Sequence, residues 1–355
     1  MHKNILTVVG ITILFLGTCI TPSVAIDNIK KCSISIASGI TLYVGGIGPG
    51  NYTTIQDAID DASNGDTVFV YDDLSPYIEN LLVNKIIKLI GENKNTTVID
   101  GSMTTDVLKI ITDDVNLTGF FIKNGTNGIQ IFSKNNTIKN NLVIDNKFYG
   151  IILDSTYYNT IIRNNISNNG GGIGIWDSKD NVVIGNEIVN NTGNYVNFGI
   201  YLFESDFNNI SKNFISRSPC NIHLSVSNEN IISHNVVSKG YHRGIQLHFS
   251  NDNTISRNTI SSTFYVGLQI ESRHNKVLQN NFINNTNHSS FTFIFKTVPG
   301  LNFNKWDGNY WDDWIGHNNA IFSIFPKIIK GILTRDFKFP ILAFDWHPAK
   351  EQYEI

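Results

Sequence analysis

The sequence predicts an all-β protein: a right-handed parallel β-helix, a single-stranded solenoid of short coils. Three observations carry this. The 355 residues include 48 Asn and 53 Ile, and only 16% are charged. A helical protein would place Glu and Lys on its surface rather than Asn, a poor helix former, whereas an Ile-rich core under an Asn-rich surface suits β-structure with many turns. Second, the phrase Asn-x-apolar-x-x-Asn-x-apolar starts at Asn136, Asn159, Asn181, Asn208, Asn230, Asn253, Asn275 and Asn304, with gaps of 23, 22, 27, 22, 23, 22 and 29. Third, a second phrase falls between these in a fixed register: Gly150-Ile-Ile-Leu153, Gly199-Ile-Tyr-Leu202, Gly244-Ile-Gln-Leu247 and Gly267-Leu-Gln-Ile270. Two interlocked phrases at a period near 22 residues are the mark of a repeat architecture.

One unit holds three short apolar-x-apolar pieces, such as Ile245/Leu247, Ile255 and Ile260. Alternation puts those residues on one face, and Asn or Gly ends each piece too soon for a helix. Three short strands and three turns make one coil of a β-helix, stacked at about 4.8 Å. Ile151, Ile173, Ile200, Ile222, Ile245 and Leu268 should form one internal column. The recurrent Asn164, Asn186, Asn213, Asn235, Asn258 and Asn280 should form a ladder in which each amide bonds neighbouring coils. Leucine-rich repeats lack this Leu spacing, no unit holds a helical phrase, and a propeller needs longer repeats.

The chain divides accordingly. Residues 1–25 read as a signal peptide: His2 and Lys3 precede an uncharged run from Ile5 to Ile20, and Ser23-Val24-Ala25 suits cleavage. No second apolar run of about 20 residues follows, so no transmembrane span is expected after cleavage. Residues 26–40 read as a linker. Residues 41–111 read as a capping helix and irregular first coils. There Ile55, Ala58, Ile59 and Ala62 follow helical spacing, Thr53 with Gln56 suits a capping box, and Gly65 suits the stop. Residues 112–311 hold the repeats. Residues 312–355, with Trp314, Phe337, Phe339, Phe344 and Trp346, read as an aromatic cap, since an uncovered solenoid end exposes unpaired strand edges. The mature chain keeps Cys32 and Cys220 and no disulfide framework. Ten Asn-x-Ser/Thr sequons remain, Asn51, Asn95, Asn116, Asn165 and Asn209 among them. A net charge of −3 argues against nucleic acid as a partner.

Particular residues carry a family resemblance. Tyr52-Thr-Thr-Ile-Gln-Asp-Ala-Ile59, Gly65-Asp-Thr-Val-Phe-Val70, Ile90-Gly-Glu-Asn93 and Val98-Ile-Asp-Gly101 resemble the N-terminal cap of pectate-lyase-like β-helix proteins. The Asn/Gly coils, Asp307-Gly-Asn-Tyr-Trp311 and Asp345-Trp-His-Pro348 resemble the NosD-type periplasmic copper-binding family, whose repeat many archaeal surface and secreted proteins share. The resemblance covers roughly residues 40–355 and implies the fold and a secreted or cell-surface location. A copper role belongs to bacterial members, and no motif here carries it over. Fold alone does not imply activity.

The chemistry must therefore come from the outward columns. Aligning coils on the Gly-Ile-x-Leu strand gives Gln130, Ile152, Gly174, Tyr201, His223, Gln246, Gln269 and Thr292. The next column is Phe132, Asp154, Trp176, Phe203, Ser225, His248, Glu271 and Ile294, with Asp177 and Glu204 at the turn. A strip that mixes aromatics and amides suits a polysaccharide chain, so Trp176, Tyr201, His223, Gln246 and Gln269 are the candidate ligand-binding residues. Two insertions, Asn190-Asn-Thr-Gly-Asn-Tyr195 and Lys296-Thr-Val-Pro-Gly300, would rim that face. Asp154, Asp177 and Glu204 are the candidate catalytic or calcium-binding carboxylates, and Arg163, Arg217, Arg243 and Arg273 could neutralise a uronate. His223, His248 and Glu271 are the candidate copper ligands, although Cys220, three residues from His223, should face the other way, and the mature chain has one Met, Met103. The reading is a secreted, non-catalytic protein that binds a polysaccharide or cell-surface glycan. The alternatives are a polysaccharide lyase, hydrolase or epimerase, and a copper-handling protein.

Overall fold

In the computed structural model, residues 39–194, 197–294, 304–316, 326–334 and 338–355 are described. The signal segment, the linker up to residue 38, Cys32, Tyr195, residues 296–300 and Phe337 lie outside them. The chain winds as a right-handed parallel β-solenoid of about 11 turns at about 23 residues each. Each coil gives one strand to each of three sheets. Sheet A, which holds Thr254–Ser256, and sheet C, which holds Arg243–His248, have twelve strands each, and sheet B, which holds Thr259–Ser261, has eleven among the described residues. The outer residues of the three-residue strands, such as Thr254–Ser256 and Thr259–Ser261, are hydroxyl-rich, and their central Ile255 and Ile260 are fully buried.

The internal column forms as expected. Ile151 pairs with Ile173, and the series continues through Ile200, Ile222, Ile245 and Leu268, every one fully buried. This is the consequence of a side-chain period of two repeated at a fixed coil length: the same apolar side chain returns to the same place in each turn.

The asparagine ladder is the second framework. Oδ1 of Asn235 accepts both the backbone N–H of Asn213 at 2.9 Å and its Nδ2–H at 3.0 Å. Nδ2 of Asn235 donates to Oδ1 of Asn258 at 2.9 Å and back to the carbonyl of Ile210 at 2.8 Å. One such column runs from Asn141 to Asn309 and a parallel one from Asn136 to Asn304. The last rung is a carboxylate. Asp345, fully buried, accepts from Gly308 N, Asn309 N, Asn309 Nδ2 and Trp311 Nε1 at 2.9–3.1 Å, so it stands where the next coil's Asn would be. Beside each ladder the chain turns through a left-handed residue, as at Lys212, His234 and Arg257 (φ 57°, 56° and 52°).

The ends differ in detail from the expectation. Helix α1 (Ile55–Asp61) buries Ile55, Ala58 and Ile59 in the same core, but its N-cap is Thr54, whose hydroxyl accepts from Asp57 N. Thr53 lies one residue too early because Thr54 is still extended. At the far end Trp306, Trp311 and Trp314 are buried, and the tail continues as a hairpin of Lys327–Thr334 and Lys338–Asp345 that extends sheet C through Ser289–Ile294. Trp346 stays 64% exposed, so a carboxylate rather than that aromatic closes the ladder.

Asn235→Leu strands the Asn213 N–H, the Asn213 amide and the Ile210 carbonyl, and should lower stability by about 3 kcal/mol or more in thermal or denaturant unfolding. Asp345→Ala should cost more than Asp345→Asn, which keeps an acceptor at the end of the ladder; equal melting temperatures for the two would contradict that role.

Candidate functional site

The outer face of sheet C is built in the central coils from strands of six residues, including Gly171–Trp176, Phe198–Phe203, Cys220–Ser225, Arg243–His248 and Val266–Glu271. Register places Gly174, Tyr201, His223, Gln246 and Gln269 side by side, and Trp176, Phe203, Ser225, His248 and Glu271 in the adjacent column, as the alignment predicts. Past Glu271 the expectation fails. Gln269 pairs with Ser290 rather than Thr292, because Phe291 takes the buried place beneath Ile270, so the alignment ran two residues too far.

A third outward column was not anticipated. Phe198, Cys220 and Arg243 pair in register two residues before the buried Ile200, Ile222 and Ile245. Strict alternation would send them inward. Instead, the intervening Gly199 and Gly244 turn their Cα toward the interior, where an added Cβ would meet Ile215 and Ile260 side chains. Two successive inward positions return the preceding side chain to the outer face. Phe198 therefore stacks on Tyr201 at 4.7 Å between centroids and lies 4.9 Å from the His223 ring. Cys220 likewise shares the side of His223 rather than opposing it. Tyr149, buried, covers Gly174 and meets Trp176 edge to face at 5.7 Å.

The strip has an aromatic half and a charged half. In the first, burial pushes the Tyr201 hydroxyl up, and both ring nitrogens of His223 are buried without a hydrogen-bond partner. Burial, aided by the charges of His248 and Arg243, pushes the His223 imidazole down to about 4, so it is neutral at pH 7. In the second half, Arg243 Nε donates to Gln269 Oε1, Gln269 Nε2 donates to Glu271 Oε1 at 2.8 Å, and Glu271 Oε2 meets His248 Nδ1 at 2.6 Å. A cavity of about 580 Å³ continues past Gln269, lined by Ser290, Thr292, His288, Asp313 and Lys327.

The candidate carboxylates sit differently. Asp154 accepts from the Ser155 hydroxyl at the end of its strand. Asp177 and Glu204 occupy exposed left-handed corners (φ 43° and 49°), where their N–H groups bond Phe203 and Ser225 of the next coil. Of the four arginines, Arg243 joins the strip, Arg217 occupies the exposed corner between sheets B and C, and Arg163 the exposed corner between sheets A and B.

Neither proposed metal set converges. Among the described residues, one group of three donors lies within 4.8 Å of one another, His288, Asp312 and Asp313; Asp154/Asp177/Glu204 and His223/His248/Glu271 form no such group. The His288 cluster is internally satisfied: Nε2 meets Asp312 at 2.7 Å, Nδ1 meets the Asn285 amide at 3.3 Å, and Lys327 pairs with Asp313 at 2.5 Å. The soft donors a copper carrier uses do not fit either. Cys220 is buried, bonds the Ile222 carbonyl, and burial pushes its thiol up to about 12, while Met103 lies exposed on a distant coil.

The fold defines a class, the parallel β-helix proteins. The profile of the family described as periplasmic copper-binding protein (NosD) matches residues 28–219 and 193–316, and the chain belongs to that family. It is 31% identical over 226 residues to a cell surface glycoprotein of Methanothermus fervidus, a match covering 52% of this chain and 38% of that protein. The chain therefore spans well under half the length of that relative. Among solved structures it is similar to the Dettilon tailspike protein, with a TM-score of 0.58 at 16% identity over 76% of this chain and 62% of that one. A second neighbour is the DFA-IIIase of Arthrobacter chlorophenolicus in complex with DFA-III, with a TM-score of 0.56 at 11% identity over 87% and 86% of the two chains. At such identities these structures share the fold alone. The protein is secreted or at the cell surface, and no helix among the described residues is long and apolar enough to cross a membrane.

His223 makes the site pH-sensitive in a stated direction. Its pKa in the folded chain is about 4 against an ordinary 6.5, so the unfolded chain binds the extra proton first as pH falls. Stability attributable to the neutral ring is full above pH 6.5 and is lost as pH drops toward 4, on the order of 3 kcal/mol at most. His223→Phe should flatten the stability profile between those limits, and an unchanged slope would contradict the assignment.

Proposed function

We propose that this is a non-catalytic carbohydrate-binding protein of the cell surface, with the outer face of sheet C as its ligand face. One observation carries the reading. A continuous strip presents aromatic rings (Trp176, Tyr201 and Phe198, with His223 packed among them) followed by amides and charges (Gln246, Gln269, Arg243, His248 and Glu271). Rings stack on the apolar faces of sugars, and amides and the guanidinium bond hydroxyls or carboxylates, so an extended glycan laid across successive coils meets both kinds of contact. Asp177 and Glu204 stand at the rim as hydroxyl acceptors. The sequence features of a signal peptide and an archaeal-type surface repeat agree with export to where such glycans occur.

A second reading, cleavage or epimerisation of a polysaccharide, draws on the hydrogen-bonded chain Arg243–Gln269–Glu271–His248, which joins a base, an acid and a guanidinium in one place. One set of variants separates the two. Against a glycan that the wild type binds on an array, Trp176→Ala with Tyr201→Ala should weaken binding by at least about tenfold. Full affinity in that pair would move the site elsewhere. Asp177→Asn and Glu204→Gln should weaken binding modestly. If incubation with the wild type changes the glycan, and Glu271→Gln abolishes the change while binding survives, the enzymatic reading replaces the first.

A further inference from the structure

The left-handed corners of the coils sort charge around sheet A. On three consecutive coils the turn before sheet A carries Asp206, one residue ahead of the left-handed Phe207, then the left-handed Glu229 and Asp252, and the left-handed residue after it is Lys212, His234 or Arg257. Between these edges the outer positions Asn209, Ser211, Ile231, Ser233, Thr254 and Ser256 bear no charge. Ile231 and the neighbouring Phe207 are 46% and 49% exposed. Among the described residues Lys212 and Arg257 form no ion pair, and Arg257 Nε donates to Gln279 of the next coil; on the acid edge Asp206 accepts from Asn228 of the next coil and Asp252 pairs with His274 at 3.6 Å.

A face with acids on one edge and bases on the other is self-complementary under one symmetry operation. A two-fold axis lying in the plane of the face, parallel to the stacking direction, keeps each coil level with its counterpart and exchanges the edges. Asp206, Glu229 and Asp252 of one copy then oppose Lys212, His234 and Arg257 of the other, coil by coil. Glu229 and Asp252 repeat at the same rise of about 4.8 Å as His234 and Arg257, and Asp206 reaches the same edge from one residue earlier in its turn. The perpendicular in-plane axis would set acid on acid. Sheet B lacks this property, since Arg217 and Lys239 put bases on its far edge as well. On sheet C the acids Asp177 and Glu204 and the bases Arg217 and Lys239 fall on different coils. The twelve strands of sheet A span roughly 50 Å, and a strand with its two corners spans roughly 15 Å. Contact along the whole sheet covers roughly 750 Å² per copy, close to a standard specific interface.

We propose that sheet A is the contact face of a symmetric homodimer, two solenoids side by side with parallel axes, joined by acid-over-base contacts on three coils. The opposite faces, including the strip on sheet C, stay open to ligand.

Sedimentation equilibrium of the exported chain tests this. The wild type should be a dimer at low salt, and its dissociation constant should rise with ionic strength. Arg257→Asp sets carboxylate against Asp252 twice in the symmetric interface and should weaken the dimer by about tenfold or more; Lys212→Glu should do the same against Asp206. Combining Asp252→Arg with Arg257→Asp restores opposite charges at both contacts and should recover wild-type association to within about threefold. All three side chains are at exposed or half-exposed corners, so melting curves of the variants should match the wild type. A wild type that is monomeric at low salt overturns the proposal. So does a dimer indifferent to Arg257→Asp, or a charge swap that fails to restore it. Peptide mapping adds a separate check: Asn209 heads an Asn-Ile-Ser sequon in the middle of this face, and a glycan found on Asn209 in the dimer also overturns it.

Discussion

The bond on which this molecule depends is the one between an asparagine amide and the asparagine one coil away. Each Oδ1 takes the backbone N–H and the side-chain N–H of its neighbour, as Asn258 does for Asn235, and each Nδ2 reaches a carbonyl further back, as that of Asn258 does at Ile232. The corner of a β-coil has peptide groups that no sheet can satisfy, and burying them unpaired would cost about 1–3 kcal/mol apiece. An amide supplies a donor and an acceptor in one short side chain, so a single residue type solves the corner and repeats without limit. The need for a different last rung follows, and the buried carboxylate of Asp345 meets it with acceptors alone.

Fixing the corners fixes everything outside them. With the coil length set, each outward position becomes a column, and chemistry scattered through the sequence becomes a surface. Tyr201, His223, Gln246 and Gln269 are about a coil apart in the chain yet adjacent in space. The left-handed residues beside the ladder point outward and can be charged without strain on the core, which is how Lys212 and Arg257 line one edge of sheet A and Glu229 and Asp252 the other. Insertions enter between corners and leave the ladder intact: the Asn181–Asn208 and Asn275–Asn304 rungs are bonded across their longer spans like any other.

The columns and the ladder were legible in the sequence because they depend only on period. What lay beyond period was not. Phe198 and Arg243 appear inward by alternation, and only the two successive inward positions at Gly199 and Gly244 turn them onto the strip. The register past Glu271 slipped because Phe291 fills the aliphatic place two residues before the aligned position. The acid and imidazole cluster of His288, Asp312 and Asp313 is joined across a 29-residue repeat, so no spacing rule could connect its members. His223 was legible as an outward residue but not as a neutral one with both ring nitrogens buried, since the Phe198 ring packed beside it was itself misplaced.

Hydrogen-exchange mass spectrometry with and without cell-envelope oligosaccharide tests most directly whether the outer face of sheet C is the ligand face, as proposed. Added protection is expected in peptides spanning Phe198–Phe203, Cys220–Ser225 and Arg243–His248, with sheet B strands such as Val236–Ser238 unchanged. Protection confined to sheet A or sheet B, or none on sheet C with a glycan that demonstrably binds, would contradict it.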